Sequence, residues 1–166
     1  MERTITLNAQ PRTRAEDFTD AVEPHYAGLV RRLTIVVADR EAARDLAQDA
    51  YLRAFRAWDR FDGQDARAWL HTIGLRLAFN ERRRRGRFTA LFGRRTEQEP
   101  WVDAVDPELG DALQDLRPEH RAALLLSAVD GYTQAEIGVM LGVPAGTVAS
   151  WLSRTKAQLR KALTDD

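Results

Sequence analysis

Apolar side chains recur three and four positions apart along most of this chain, and no segment reads as a strand. The single β-branched run, TIVVA at 34–38, lies inside a helical pattern. This periodicity predicts an all-α protein. A helix is expected from Asp17 to Val37, with Phe18, Val22, Tyr26, Leu29, Val30, Leu33 and Val37 as its apolar residues. Asp39 is a predicted N-cap for a second helix through Phe61, with a stripe of Ala43, Leu46, Ala47, Ala50, Ala54 and Trp58. FDGQD, 61–65, reads as a turn. A third helix is expected over 66–85, carrying Trp69, Leu70, Ile73, Leu77 and Ala78 and ending in arginines.

Glycines and prolines at Gly86, Gly93, Pro100 and Pro107 interrupt the pattern, which predicts a linker with a short helical piece near Leu91. A second helical unit follows. Asp106 or Asp111 opens a helix ending near Leu116, and Pro118 opens another that Gly131 stops. Thr133 begins the next helix, and the last runs from about Ala145 to Leu163. The expected division is a loose tail at 1–15, a first domain at 16–86, a linker at 87–108 and a second domain at 109–163.

The stretch TQAEIGVMLGVPAGTVASWLSRTKAQL, 133–159, carries the most local information. Thr133 and Glu136 have capping-box spacing. Ile137, Met140 and Leu141 should face a core, and Gly142 suits a turn needing positive φ. Pro144 fits the first turn of the next helix. There Val148, Leu152 and Leu159 should pack inward, leaving Thr147, Ser150, Trp151 and Arg154 outside. A bracing helix, a glycine turn and a helix with a polar outer face make a helix-turn-helix, whose second helix offers side chains to base edges in the major groove. A plain helical hairpin is the bland alternative.

The formal net charge is zero, with 25 basic and 25 acidic residues, but the charge is segregated. RRRRGR at 82–87 with Arg94 and Arg95 is basic, Glu97 to Asp115 is acidic, and the last thirty residues are basic up to the terminal aspartates. A distribution of this kind is compatible with nucleic-acid binding despite the neutral sum. The chain has no cysteine, which removes disulfides, zinc–thiolate sites and thiol catalysis. His25, His71 and His120 fall in three separate predicted helices without metal-ligand spacing, and no phosphate-binding loop or nucleophile elbow is present. No enzyme, cofactor or metal is expected. There is no signal-peptide pattern and no apolar run of transmembrane length, so a cytoplasmic protein without membrane insertion is expected.

Three blocks carry a family resemblance. GTVASWLSR, 146–154, resembles the −35-reading helix of bacterial sigma-70-family RNA polymerase sigma factors, and helix-turn-helix units of response regulators look similar. DREAARDLAQDAYLRAFRAWDRFDG, 39–63, resembles the helix by which those factors grip RNA polymerase. RAWLHTIGLRLAFNERRRR, 67–85, resembles the following helix, which engages the −10 element. In this order, and without other sigma domains, the blocks resemble the two-domain extracytoplasmic-function (ECF) type. The resemblance implies a region 2-like and a region 4-like domain joined by an extended linker. It implies core RNA polymerase (its β′ clamp helices and β flap), promoter DNA and an anti-sigma factor as partners.

Residue by residue, the polymerase block presents Asp45, Gln48, Asp49, Leu52, Arg53 and Arg56 on one helix face. Taken alone, that face reads as a solvated surface with an Asp49–Arg53 pair; the resemblance makes it an interface. For the −10 element the candidates are Asp62, Gln64, Arg67, Arg76 and Asn80, with Arg82, Arg83, Arg84 and Arg85 on phosphates. Gly63 and Asp65 lie in the same loop, and Trp69 reads as a core aromatic. A plain cationic helix end is the alternative for the arginine run. For the −35 element the candidates are Thr133, Thr147, Ala149, Ser150, Trp151, Arg154 and Lys156.

Two departures from the family pattern bear on function. IGLRLA, 73–78, stands where many relatives read IARNLA, so Leu75 and Arg76 replace an Arg-Asn pair. Ala149 and Trp151 stand where many relatives have basic residues, which implies an unusual −35 sequence. Two readings of Trp151 are open: contact with a thymine methyl, or packing on a neighbour. The two promoter elements are about 25 base pairs apart by their names, or ~85 Å. A linker of about 22 residues spans at most ~75 Å, so it must be largely extended to serve both. The expected function is a sigma factor; the alternative is a DNA-binding regulator of the same fold with impaired promoter melting.

Overall fold

The structure, a computed structural model, describes residues 11–92 and 107–164. Most of the expected linker and of the N-terminal tail lies outside these described residues. Seven α-helices and no strand occur among the described residues.

Helix α1, Arg14–Val37, starts earlier than the apolar pattern predicts. The reason is a capping box: Thr13 Oγ1 accepts from the Glu16 amide at 3.3 Å, and the Glu16 carboxylate accepts from the Thr13 amide at 2.7 Å. Ala38 ends the helix in the left-handed region at φ 57°, and the next residue, Asp39, caps α2 by accepting from the Ala42 amide at 2.9 Å. Helix α2, Arg40–Arg56, buries Ala43, Ala47, Ala50 and Ala54. With nothing beyond Cβ on that face, α2 lies close to its neighbours and its longer side chains point away from the core.

The expected run of α2 to Phe61 is corrected. The helix stops at Arg56, and Trp58–Arg60 forms one 3-10 turn. Arg14 of α1 takes the Phe55 carbonyl at 2.8 Å, satisfying an oxygen that the helix end leaves free. Trp58 stacks on Phe61 with centroids 4.9 Å apart, and Phe61 lies 5.0 Å from Trp69. Phe18 joins this aromatic chain edge-on to Trp58 at 5.4 Å. The chain of rings fixes the loop that carries Asp62 and Gln64.

Helix α3, Ala66–Phe92, continues past residue 85 through Gly86 into the stretch expected as linker from residue 87, and takes in the helical piece expected near Leu91. Arginine is a good helix former, and one glycine costs only about 1 kcal/mol in a helix. In the first unit α1, α2 and α3 pack on one another. Gly74 of α3 brings the two backbones together: a methyl group built there would lie 2.7 Å from Leu29 Cδ1 of α1.

The second unit consists of α4 (Pro107–Gln114), α5 (Pro118–Ala128), α6 (Gln134–Leu141) and α7 (Ala145–Ala162). Its core holds Ala122, Ala123, Leu126, Ile137, Met140, Val148 and Leu152. The two units are packed together: α5 lies on α1 and α3, and α6 on α3, so their buried residues form one continuous apolar cluster. Ala38 at the end of α1 packs with Leu113 and Leu116 of the second unit in a smaller cluster.

Candidate nucleic-acid and protein interfaces

The buried alanine face of α2 leaves its opposite face to solvent. Asp45, Gln48, Arg53 and Arg56 are exposed, Asp49 is half-buried, and Leu52 is an exposed large apolar residue at 46%. Asp49 accepts from Arg53 Nε at 3.0 Å, one helical turn apart. Both side chains are substantially exposed, so the pair contributes little to stability. The α2 residues expected to meet polymerase thus share one accessible strip with an apolar residue in its middle.

The loop before α3 is tightly shaped. Asp62 accepts from the Gln64 amide at 3.1 Å, Gly63 sits at φ 81°, and Asp65 caps α3 through the Ala68 amide at 2.8 Å. Asp62 and Gln64 themselves are exposed. Along α3, Arg76, Asn80 and Arg83 fall on one exposed face at spacings of four and three, and Arg83 donates to the Asn80 carboxamide at 3.2 Å. Arg84 is also exposed, near Glu81 at 3.8 Å. Arg82 and Arg85 belong to α3, but their side chains lie outside the described residues. Leu75 is fully buried and Trp69 is half-buried. Leu75, one of the two positions that depart from the expected family pattern in this segment, is therefore a core residue here.

In the helix-turn-helix, Thr133 N-caps α6: its hydroxyl accepts from the Glu136 amide at 3.3 Å and its amide donates to the Glu136 carboxylate at 2.7 Å. These hydrogen bonds hold the Glu136 carboxyl below its ordinary pKa. Gly142 takes φ 70°, as its place after the helix predicts, and α6 and α7 meet at a bend of 106°. Val148, Leu152 and Thr155 of α7 are buried, while Arg154 and Lys156 are exposed and Thr147, Ala149 and Ser150 are partly so. Arg154 donates to Ser150 Oγ at 2.9 Å. Trp151 is half-buried with its ring 5.6 Å from that of His120, so packing on a neighbour is the arrangement the structure has. Burial, with Arg117 nearby, holds the His120 imidazole below its ordinary pKa.

Contacts absent from the sequence expectations join the two units, some of them made by residues expected at the −10 element. Arg32 of α1 meets Asp130, which follows α5, with Nη2 donating to Oδ1 at 2.9 Å and Nη1 lying 2.6 Å from Oδ2. Arg67 of α3 pairs with the same carboxylate. The Asp130 carboxyl is fully buried, and the Arg32 side chain is 8% exposed. Burial pushes Arg32 below its ordinary pKa, and Asp130 opposes that shift. Arg76 donates Nε to the Met140 carbonyl at 3.1 Å and Nη2 to the Val139 carbonyl at 2.9 Å, capping the end of α6. Tyr132 reaches Asp65 at 3.5 Å. The sequence did hold one signal: Arg32 stands on the apolar stripe of α1, three residues after Leu29, and a charge at a core position needs a buried partner. Among the described residues no cluster of His, Asp or Glu has the makings of a metal site, and no single helix is long and apolar enough to cross a membrane.

Comparison with known proteins agrees with this anatomy. Residues 19–88 match the family model described as Sigma-70 region 2, and residues 107–159 match Sigma-70, region 4. The ECF RNA polymerase sigma factor SigE of Mycolicibacterium smegmatis is 35% identical over 87% of this chain, which spans 61% of that relative's length. The RNA polymerase sigma factor CarQ of Myxococcus xanthus is 32% identical over 89% of this chain and 88% of its own. Among solved structures, the sigma factor RpoE of Bartonella quintana, crystallised with the anti-sigma factor NepR, has the same fold. Its TM-score is 0.77 at 24% identity, over 90% of this chain and 98% of that one.

Proposed function

We propose a promoter-directing function on the premise that this chain belongs to the sigma-70 family, as an ECF-type RNA polymerase sigma factor. In this reading the protein is a dissociable specificity subunit, not a catalyst, working in the cytoplasm with the polymerase. It docks on the β′ clamp helices of core RNA polymerase through the Asp45–Arg56 face of α2. The loop at 62–65 and the exposed face of α3 take the melted −10 strand, with Arg83 and Arg84 on phosphates. The outer face of α7, through Ser150 and Arg154, reads the −35 element. An anti-sigma protein, the kind of partner with which RpoE was crystallised, is the third proposed partner.

The observation that carries this reading is the outer face of α2. Its charged and amide residues surround the exposed Leu52, while the alanine face behind them is buried. A face of that composition suits docking on a charged helical surface. The test is transcription from a library of source-genome fragments by the protein mixed with core bacterial RNA polymerase, with the transcripts sequenced. Discrete start sites sharing two upstream elements are expected. Core binding without transcripts would favour the regulator that cannot melt promoters, and absence of core binding would overturn the assignment of α2.

A further inference from the structure

The surface of the first unit that the second unit covers is rich in arginine, and the oxygens that meet those arginines come from the second unit. Arg32 and Arg67 converge on the buried carboxylate of Asp130, and Arg76 holds the carbonyls at the end of α6. Arg67 and Arg76 are also residues assigned to the −10 strand. The packed arrangement therefore occupies them with protein oxygens.

The geometry at Asp130 is that of an anion site. Arg32 presents two guanidinium nitrogens to the two carboxylate oxygens, and Arg67 approaches one of those oxygens from a different helix. Two guanidinium groups on a two-oxygen anion suit the non-bridging oxygens of a phosphodiester equally well. Arg67 also stands in the first turn of α3, directly after the loop at 62–65, where helix geometry favours a negative ligand. Packed units cannot serve elements ~85 Å apart, so simultaneous engagement of both requires separation. Separation removes Asp130 and leaves two arginines needing an anion.

We propose that Arg32 and Arg67 form a phosphate site for single-stranded DNA. Asp130 fills that site whenever the units are packed, so closure and strand binding exclude each other. The identification of the strand as −10 DNA rests on the sigma-factor reading; the site itself is defined by its chemistry.

The test uses the full chain and a fluorescein-labelled oligothymidylate of twenty nucleotides, because a phosphate contact needs no particular sequence. Asp130→Asn is expected to bind this probe about tenfold more tightly than wild type at the same salt. Adding Arg32→Gln to that variant should remove the gain and lower the slope of log affinity against log salt by about 0.7, the value for one single-strand phosphate. Unchanged affinity in Asp130→Asn, or a double variant that keeps both gain and slope, overturns the site.

A second measurement does not depend on altering the cluster. The chain has no cysteine, so Glu41→Cys with Gln158→Cys gives one label on an exposed position of each unit. Saturating oligothymidylate should lengthen the distance between labels; an unchanged distance at saturation overturns mutual exclusion. Co-elution with core polymerase separates the two readings. A gain in Asp130→Asn without core binding supports the phosphate site and sinks the promoter reading, and core binding without the gain does the reverse.

Discussion

Gly138 faces the carbonyl oxygen of Val143 so closely that a methyl group built on its α-carbon would lie 2.6 Å from that oxygen, while its own carbonyl accepts from the Val143 amide at 2.9 Å. The contact is between backbones across the turn of the helix-turn-helix, so no side chain can swing aside to relieve it. Glycine inside a helix normally gives way to alanine with a gain of about 1 kcal/mol. Here the sign reverses. Gly138→Ala is expected to destabilise the second unit by about 1–3 kcal/mol, as overpacking does, and to weaken −35 binding through misplacement of α7. Urea denaturation checks it; equal or greater stability would show that the turn can yield.

Much of this architecture was legible because it is local. Thr133, Glu136 and Gly142 announce the helix-turn-helix through cap and turn chemistry fixed within a few residues, and Asp39 announces α2 in the same way. The early end of α2 was not legible. It depends on Trp58 and Phe61 meeting Trp69 and on Arg14 reaching Phe55, partners 8 to 41 positions away. The docking of the two units was hidden for a similar reason. Arg32 stood out on the apolar stripe of α1, but nothing local names Asp130 or Arg67 as its partners, and only the fold brings the three together. Among the candidate site residues, the strip on α2 was fully visible as helical spacing, whereas the burial of Leu75 and the seat of Trp151 on His120 depend on neighbours in space.

Asp49→Arg should abolish binding to core polymerase and leave the fold intact. Asp49 makes an exposed i,i+4 pair with Arg53, and surface substitutions of this kind usually change stability by no more than about 0.5 kcal/mol. Reversing the charge at the centre of the strip replaces complementarity with repulsion. Gel filtration with core enzyme and thermal melting are the paired measurements. Wild-type affinity for core would remove α2 as the docking face.

Trp151 and Arg154 should separate when each is changed to alanine. Arg154 is exposed and touches Ser150, so its loss should spare stability and relax base preference by about 1–3 kcal/mol at one position. Trp151 is half-buried against His120, so its loss should destabilise the second unit and weaken binding to all sequences alike. Binding selections from random −35 sequences, with melting curves for both variants, distinguish the two. A changed base preference in Trp151→Ala at unchanged stability would make the tryptophan a reader of bases.

His71 should make the protein acid-sensitive above the carboxylate range. Burial, with Arg32 and Arg67 nearby, pushes its imidazole from 6.5 down to about 3, and its side chain is 1% exposed. Between those two values the unfolded chain binds a proton that the native chain does not. Stability is therefore full above pH 6.5 and falls as the pH drops towards 3. From pH 7.5 to 5.0 the loss from this group is about 2 kcal/mol. Glu16 and Glu136 are held below 4.5 by their capping hydrogen bonds and so titrate outside this window. His120, also depressed by burial, adds a loss of the same sign. Because His120 is present in both proteins, comparing wild type with His71→Leu isolates His71. Urea midpoints at the two pH values should differ less in the variant, which should lose about 2 kcal/mol less than wild type on acidification. An identical loss in both would mean that His71 takes up its proton without leaving the core, and that the buried cluster beside it adapts to a positive charge in addition to Arg32 and Arg67.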